Sequence, residues 1–407
     1  MNKICTQLLL AISACLYILT TPLASNAQCP AGRYEYNYYF SNYTMDSVTY
    51  STPYSQKMDI YQPVGDTLAE RPLIVLAHGG AFISGTREDD VTIDSLCVHF
   101  AKRGYVVASI DYRLGNALEM YLDSSVAITE VIQAISDGKA AVRYFVKDRA
   151  TTNTYKIDTN NIFIGGNSAG AVLYMNAGYI DSLGACPADI QTAMLANGGF
   201  EGNSGNAGYT TRSKAIINLA GALNEVGFVM PGGKPSVNAQ GSADSVVPYE
   251  CGYPNVGVTI SVTLCGLGQL EPRYVAEGIY HMSHVFPGQG HVPWSTDSGM
   301  FVTVDSMVQL FLYDMICTTL GTGSEKPEPA LNFYPNPATE IVHFESDQPI
   351  ASIKMYNQLG IIVIDKQTSG ALITDIECSH FPTGLYFASI EYQDKDFSPK
   401  VIKLVVR

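Results

Sequence analysis

Residues 162–170 constrain the fold of this chain more than any other stretch. An apolar, strand-like run at 162–165 leads into the pentapeptide Gly-Asn-Ser-Ala-Gly at 166–170, and residues 171–177 then read as a helix. A strand that turns sharply into a helix needs glycine on each side of the turn, because the two elements pass each other closely. Ser168 is therefore predicted at a helix N-terminus, where free N–H groups and the helix dipole favour a developing negative charge. This is the setting of an acyl-transfer nucleophile.

The pentapeptide by itself is a weak signal. The chain has 407 residues and 36 glycines, so a glycine-rich turn with a solvated serine is the alternative interpretation. A strand before the turn and a helix after it favour the nucleophile. The assignment of Ser168 as a nucleophile therefore also depends on partner residues elsewhere in the chain.

Apolar runs and amphipathic segments alternate around this turn. Residues 73–77 and 105–110 are continuous apolar runs, as expected of strands that are buried on both faces. Residues 124–147 carry apolar side chains at mostly helical spacing, with a candidate kink at Asp137-Gly138. Strands that alternate with helices predict an α/β fold, with a mostly parallel sheet and helices on both faces.

Three aromatic segments precede the first apolar run. Residues 34–40, 48–50 and 56–63 are rich in tyrosine and partly alternate in polarity. We predict that they enter the sheet as antiparallel edge strands.

Composition limits the partners of the chain. The formal net charge at pH 7 is −14, with 46% hydrophobic and 15% charged residues. Nucleic acid and anionic membrane are excluded as partners, because phosphate binding needs a surplus of lysine and arginine. Small neutral substrates remain compatible with this charge.

The N-terminus reads as a secretory signal over residues 1–27. Lys3 precedes an apolar run at 8–19, and Ser25-Asn26-Ala27 matches the small-x-small pattern before a cleavage site. The apolar run is short for a membrane span, and no other stretch is expected to be long and apolar enough for one. Export through the periplasm, to the medium or the cell surface, is the predicted fate.

Cysteine usage agrees with export. Loss of Cys5 and Cys15 with the signal leaves seven of the nine cysteines, so at least one thiol stays unpaired. An oxidising compartment permits disulfides, and Cys251 with Cys265 would close a short loop. The pairing itself cannot be deduced from the sequence.

The C-terminal part of the chain differs in pattern. Glycine, glutamate, lysine and proline dominate residues 321–330, which we predict to be a linker between a domain at 28–320 and a tail at 331–407. The tail alternates apolar and polar residues in short runs, which predicts a small β-sandwich.

Partners for Ser168 occur on both sides of it. Two glycines follow the run at 73–77, so the N–H groups of Gly80 and Ala81 are free to face the serine. Asp244 lies in a turn after a predicted strand, and His291 follows later in the chain.

A metal site is the competing interpretation of the histidines. His281, His284 and His291 lie close in sequence, but no glutamate has the spacing of a helical zinc motif. His78 is expected to order the loop that follows the strand. We therefore predict no metal and no cofactor.

These residues resemble a known family. From about residue 50 to 317 the chain is similar to α/β-hydrolases of the bacterial carboxylesterase and lipase group, including feruloyl and acetyl esterase relatives. The motifs that carry the resemblance are His78-Gly-Gly-Ala-Phe82, Asp111-Tyr-Arg113, Gly166-Asn-Ser-Ala-Gly170, Gly241-Ser-Ala-Asp-Ser-Val-Val-Pro248 and Gly290-His291.

The resemblance implies a role for each residue. Ser168 would be the nucleophile, His291 the base that takes its proton, and Asp244 the carboxylate that orients the histidine. The implied oxyanion hole consists of the backbone N–H groups of Gly80, Ala81 and Ala169.

Three points remain open at this stage. Ala81 stands where many relatives have glycine, and Asn167 where others have aspartate or glutamate, although neither departure removes a backbone donor. Asp297 competes with Asp244 as the orienting acid, but its polar surroundings suit a helix cap better.

The tail resembles the type A C-terminal sorting domain of type IX secretion substrates in Bacteroidetes, through residues 331–338 and 384–386. This implies the type IX secretion machinery as a partner; a carbohydrate-binding β-sandwich is the alternative. The whole chain is thus predicted to be a secreted serine carboxylic-ester hydrolase. Its expected substrates are small-molecule or polysaccharide esters with short acyl or feruloyl groups. A lipase, a serine peptidase or a non-catalytic binding protein on this scaffold are the alternatives.

Overall fold

A computed structural model of the protein describes residues 29–317, 329–357, 362–394, 397 and 400–407. The predicted signal at 1–27 lies outside the described residues, as do positions 321–328 of the predicted linker.

A central sheet organises residues 29–317. Its strands are β1 (Tyr43–Ser51), β2 (Gln56–Pro63), β3 (Arg71–Ala77), β4 (Val106–Ile110), β5 (Ile157–Asn167), β6 (Ala215–Leu219), β7 (Ser236–Gly241) and β10 (His281–Phe286). Their order across the sheet is β1-β2-β4-β3-β5-β6-β7-β10. Strand β2 pairs antiparallel with both of its neighbours, and every pair from β4 to β10 is parallel. The predicted α/β fold is confirmed.

Helices cover both faces of this sheet. They are α1 (Val91–Arg103), α2 (Ala117–Leu122), α3 (Ser124–Ala150), α4 (Ala169–Tyr179), α5 (Ala188–Ala196), α6 (Leu267–Ala276) and α7 (Ser298–Cys317). Alternate residues of β3 enter two separate cores: Leu73 and Val75 pack with α3 and α4, while Ile74 and Leu76 pack with α1 and α7. This double burial explains why residues 73–77 of β3 are apolar at every position.

One local prediction was wrong. Residues 34–40 are turns and bends rather than a strand. The N–H groups of Tyr34, Tyr39 and Phe40 bond to the last carbonyls of α1, which a helix end leaves without intrahelical partners. Helix α3 is continuous through Asp137-Gly138, and Asp137 forms an ion pair with Arg113.

Helix α7 meets, by length and composition alone, the requirements for a membrane span, which the sequence analysis did not expect. In this fold it is a core helix. Its buried Asp305 accepts two hydrogen bonds from Arg103 of α1, at 2.7 and 2.6 Å. Burial alone would raise the pKa of Asp305, but the hydrogen bonds from Arg103 and His99 hold it below the ordinary value.

Disulfides close two loops of very different length. Cys29 is bonded to Cys317, which joins the two ends of this part of the chain. Cys251 is bonded to Cys265, at the base of a loop whose ends form the short strands β8 (Cys251–Gly252) and β9 (Leu264–Cys265). The unpaired cysteines of the described residues, Cys97, Cys186 and Cys378, are buried.

The C-terminal part is an antiparallel β domain, as predicted. Its strands are β11 (Leu331–Tyr334), β12 (Ile341–Asn357), β13 (Ile362–Glu377), β14 (Gly384–Tyr392) and β15 (Lys400–Val406). The order is β11-β12-β14-β15, with β13 also on β12, and each pairing is antiparallel. The domain has a hydrophobic core of its own, built from residues 338–406.

Candidate active site

Ser168 lies at the turn between β5 and α4. Its backbone has φ 54° and ψ −118°, a conformation that non-glycine residues rarely adopt. A Cβ atom on Gly166 would lie 2.5 Å from the carbonyl oxygen of Ala77, and one on Gly170 would lie 2.1 Å from the same oxygen. Only glycine fits at both positions, which is why the turn has this sequence.

His291 and Asp244 reach the serine from neighbouring strands. Asp244 follows β7 and His291 follows β10, and these adjacent parallel strands end at the same edge of the sheet as β5. The Oγ atom of Ser168 is 2.7 Å from Nε2 of His291. The Nδ1 atom of His291 is 2.8 Å from Oδ2 of Asp244.

The carboxylate of Asp244 is fixed by its other contacts. Its Oδ1 atom accepts hydrogen bonds from the N–H groups of Val246 and Val247, at 2.9 and 3.0 Å. Its Oδ2 atom therefore faces the imidazole. A carboxylate only accepts hydrogen bonds, so Nδ1 of His291 donates and Nε2 is left to accept from the serine hydroxyl.

Asp297, the competing acid, has a different position. Its Oδ1 atom accepts a hydrogen bond of 2.9 Å from the N–H of Met300, in the first turn of α7. This contact caps the helix.

The glycine-containing loop after β3 lies against the serine. A Cβ on Gly79 would be 3.4 Å from Cβ of Ser168, and Ala81 borders the same cavity as Ser168 and Ala169. Within the described part of the chain, the N–H groups of Gly80 and Ala81 donate no hydrogen bond. Gly80 does not border that cavity.

His78 supports this loop. Its ring stacks on Tyr112 with 4.3 Å between ring centres, and the Tyr112 hydroxyl donates to the His78 carbonyl at 3.0 Å. Burial lowers the pKa of His78, so the ring is neutral at pH 7.

A second polar network joins the loops around Ser168, and the sequence analysis missed it. The amide of Asn167 donates to Oδ2 of Asp90 at 3.0 Å and accepts from Nε1 of Trp294 at 3.2 Å. Asp90 also accepts from the N–H of Gly79 at 2.9 Å and caps α1. One asparagine thereby connects the loop after β3, the serine turn and the segment that carries His291. The available signal was the aspartate directly before α1, a residue type that favours a helix N-cap.

The histidines of the metal alternative have other contacts. His281 and His284 lie on β10, where Nδ1 of His281 is 2.8 Å from the Ile279 carbonyl oxygen. His284 packs edge-on against Phe286, and burial lowers its pKa. Among the residues that the structure describes, no group of three or more metal-ligating side chains is assembled.

A cavity of about 350 Å³ opens beside Ser168. Helix α3 and the disulfide-closed loop between β8 and β9 each contribute several residues to its lining. The lining is almost entirely aliphatic, and its polar members besides Ser168 are Asn176 and Asn224.

Comparisons with known proteins agree with this architecture. Residues 58–224 match the BD-FAE family, which is an esterase-like α/β-hydrolase domain. Residues 332–404 match the secretion system C-terminal sorting domain.

The chain is also similar to individual proteins. It is 28% identical over 196 residues to a protein of Oryza sativa subsp. japonica named "Probable isoprenylcysteine alpha-carbonyl methylesterase ICME". The match covers 47% of this chain and spans 38% of the length of that relative. Among solved structures, esterase 2 of Thermogutta terrifontis phosphonylated by cyclosarin aligns with 70% of this chain and 96% of its own, at 18% identity and a TM-score of 0.48. The propionate-bound form of the same esterase gives 18% identity, 70% and 97% coverage and a TM-score of 0.48.

Proposed function

We propose that this chain, an esterase-type α/β-hydrolase domain followed by a C-terminal sorting domain, is a secreted serine hydrolase that cleaves carboxylic esters through an acyl-enzyme. One observation carries the proposal. Ser168, His291 and Asp244 form a continuous hydrogen-bonded triad, and the serine stands at the N-terminus of α4 in the wall of a cavity that Ala81 and Ala169 also line.

Each of these three residues has a defined step in the proposed reaction. Oγ of Ser168 attacks the ester carbonyl while Nε2 of His291 takes its proton, and Asp244 stabilises the resulting imidazolium. The N–H groups of Ala81 and Ala169 donate to the carbonyl oxygen as it becomes an anion. His291 then gives the proton to the departing alcohol. A water molecule, deprotonated by His291, attacks the acyl-enzyme and releases the acid, which restores Ser168.

The substrate is a small-molecule or polysaccharide ester. Short acyl and feruloyl esters, including those of plant polysaccharides, are the classes that the family resemblance supports. No cofactor has a place in this mechanism, because the triad and the backbone donors supply each proton transfer and the charge stabilisation.

The experiment is the hydrolysis of 4-nitrophenyl butyrate by the wild type and by Ser168→Ala. Loss of this nucleophile should lower kcat by at least about 10⁴-fold with an unchanged thermal transition. The exposed Ser261, replaced in the same way, is the control. Activity that survives Ser168→Ala in a homogeneous preparation would assign the nucleophile to another residue.

We further propose that the C-terminal domain directs export and surface delivery through the type IX secretion machinery. The hydrolase part is closed by the Cys29–Cys317 disulfide, and its two hydrophobic cores contain no residue of the tail. A chain that ends at Gly321 should therefore keep its melting temperature and esterase activity while failing to reach the cell surface. Precipitation of the shortened protein would show that the tail belongs to the folding unit.

A further inference from the structure

We infer that the cavity beside Ser168 is an acyl pocket for an unsubstituted aliphatic chain. Esters of medium-chain fatty acids should then be better substrates than acetyl or feruloyl esters. This inference rests on the proposed esterase activity, and it departs from the short-acyl and feruloyl classes that the family resemblance supports by specifying the acyl group from the cavity itself.

The two main walls of the cavity are aliphatic. Helix α3 turns one face toward it, and the loop between β8 and β9 contributes every second residue. The residues of α3 are Ala127, Ile128, Val131, Ile132 and Ile135, and those of the loop are Val256, Val258, Ile260, Val262 and Leu264. No lining residue is charged, and Phe82 is the one aromatic side chain among them.

This lining discriminates between acyl groups by desolvation. A feruloyl group carries a phenolic hydroxyl and a methoxy oxygen, and this lining offers them only two polar side chains besides Ser168, Asn176 and Asn224, so burying them there is unfavourable. A hydrocarbon chain has no such penalty and gains from each methylene removed from water. Acetyl leaves most of the cavity empty, and water that fills an aliphatic cavity lacks polar partners.

The position of His291 assigns the cavity to the acyl side of the ester. The leaving oxygen must lie next to Nε2 of His291, because this atom returns the proton to it. No residue after Leu264 lines the cavity, so the segment that carries His291 forms no part of its wall. The alcohol therefore departs on the His291 side, and the acyl chain extends into the cavity.

The loop wall is fixed in place at both ends. The Cys251–Cys265 disulfide closes its base, and Leu223 and Cys265 exchange two backbone hydrogen bonds, at 3.1 and 2.8 Å. The N–H of Asn255 bonds to the Val246 carbonyl at 3.0 Å. Val246 itself lines the cavity and donates to Asp244, so the pocket wall is anchored to the carboxylate that orients His291.

The test is a pair of ester series, measured with monomeric substrate below its critical micelle concentration. In the first series the acyl chain of 4-nitrophenyl esters runs from acetyl to dodecanoyl. The ratio kcat/KM should rise by about fourfold for each added methylene until the cavity is full, which corresponds to about 0.8 kcal/mol per methylene. We expect octanoyl to exceed acetyl by at least about a hundredfold, and methyl ferulate to react more slowly than methyl octanoate.

In the second series acetate esters of methanol to octanol vary the alcohol alone. Here kcat/KM should change by no more than about threefold, because the alcohol stays outside the cavity. A dependence on the alcohol chain equal to that on the acyl chain would overturn the assignment of the two sides.

Two variants test whether the dependence of kcat/KM on acyl-chain length arises in the cavity. Ala127→Phe places a ring in the cavity and should lower kcat/KM for octanoyl by about thirtyfold or more, with acetyl within about threefold. Ser261→Ala, on the exposed side of the loop wall, should leave both values unchanged. If Ala127→Phe fails to fold, the two wild-type ester series still test the acyl pocket.

The possible outcomes separate the two proposals. A wild-type kcat/KM that falls from acetyl onward, or a preference for ferulate, overturns the aliphatic pocket and leaves the serine esterase intact. A folded protein that hydrolyses no ester in either series overturns the esterase, and the pocket assignment with it.

Discussion

The two sides of Ser168 are built in opposite ways. Toward His291, the polar side, carboxylate and imidazole atoms are held by hydrogen bonds of 2.7 to 3.0 Å. The apolar side faces the cavity, where branched aliphatic side chains form the wall and no lining residue is charged. The polar side fixes the position of individual atoms, whereas the apolar side fixes only a shape. Changes on the polar side should therefore alter kcat for every ester, and changes on the apolar side should alter the preference among esters.

The largest effect is expected from Asp244→Asn. The side-chain oxygen of asparagine would still accept from Val246 and Val247, which turns its NH₂ group toward His291. Nδ1 must then accept a hydrogen bond, so the proton moves to Nε2 and the serine loses its base. We predict a fall in kcat of about 10⁴-fold, equal for acetyl and octanoyl esters, with an unchanged melting temperature. A loss that differed between the two esters would mean that the two sides are not separable.

The next effect is expected from Asn167→Asp. This change places a second carboxylate within hydrogen-bond distance of Asp90, which the Asn167 amide now contacts at 3.0 Å. Such a pair raises the pKa of one member, so a shared proton is present at low pH and lost as pH rises. Steady-state kinetics from pH 6 to pH 9 should show a variant-to-wild-type ratio of kcat that falls with pH, to about one tenth or less at the alkaline end.

A flat ratio across this pH range would show that Asn167 does not connect the loops as its contacts indicate. The double variant Asp90→Asn/Asn167→Asp carries one carboxylate again and should recover part of the alkaline activity.

On the apolar side, the Cys251–Cys265 disulfide should control selectivity. Replacing both cysteines by serine frees the base of the loop wall. We predict that the octanoyl-to-acetyl ratio of kcat/KM falls by about tenfold, while kcat for acetyl changes by no more than about twofold. The matched control is Cys29→Ser/Cys317→Ser, which should lower the melting temperature without changing the ratio. Equal effects of both pairs on selectivity would contradict a local role for the loop.

The smallest effect is expected from Asp297→Asn. Asn is also a good helix cap, so the change mainly removes a negative charge from the N-terminus of α7. The free energy of unfolding in urea should fall by at most about 1 kcal/mol, with kcat near the wild-type value. A large loss of kcat would make Asp297 the orienting acid and remove Asp244 from the polar side.

The contrast between the polar and the apolar side of Ser168 also explains which features could be predicted from the sequence. The glycines around Ser168 and the alternation of strands and helices predicted the sheet, because both reflect rules of local geometry and burial. Asp244 and His291 were assigned as partners of Ser168 by the family resemblance, and the structure shows why they meet there: they follow neighbouring parallel strands, which end at one edge of the sheet. Their catalytic roles stay predictions. The sequence favours short acyl groups only through the family resemblance, because the cavity walls come from segments far apart in the chain and no motif describes them.

Loop conformation limited the other predictions. The network of Asp90, Asn167 and Trp294 joins three loops whose paths the sequence does not encode in any motif. The aromatic residues at 34–40 have strand-like composition, but their backbone instead satisfies the carbonyls at the end of α1. The local sequence pattern thus predicted the helices and strands, whereas tertiary contacts determine the conformation of the segments between them.

The central claim is that Ser168 is a nucleophile activated by His291 and Asp244. Its most direct test is labelling with a fluorophosphonate, followed by mass spectrometry of the intact protein and of its peptides. We predict about one adduct per chain, located on Ser168, no adduct in Ser168→Ala, and slower labelling of Asp244→Asn. A folded wild-type protein that stays unlabelled, or that carries the adduct on another residue, would contradict the claim.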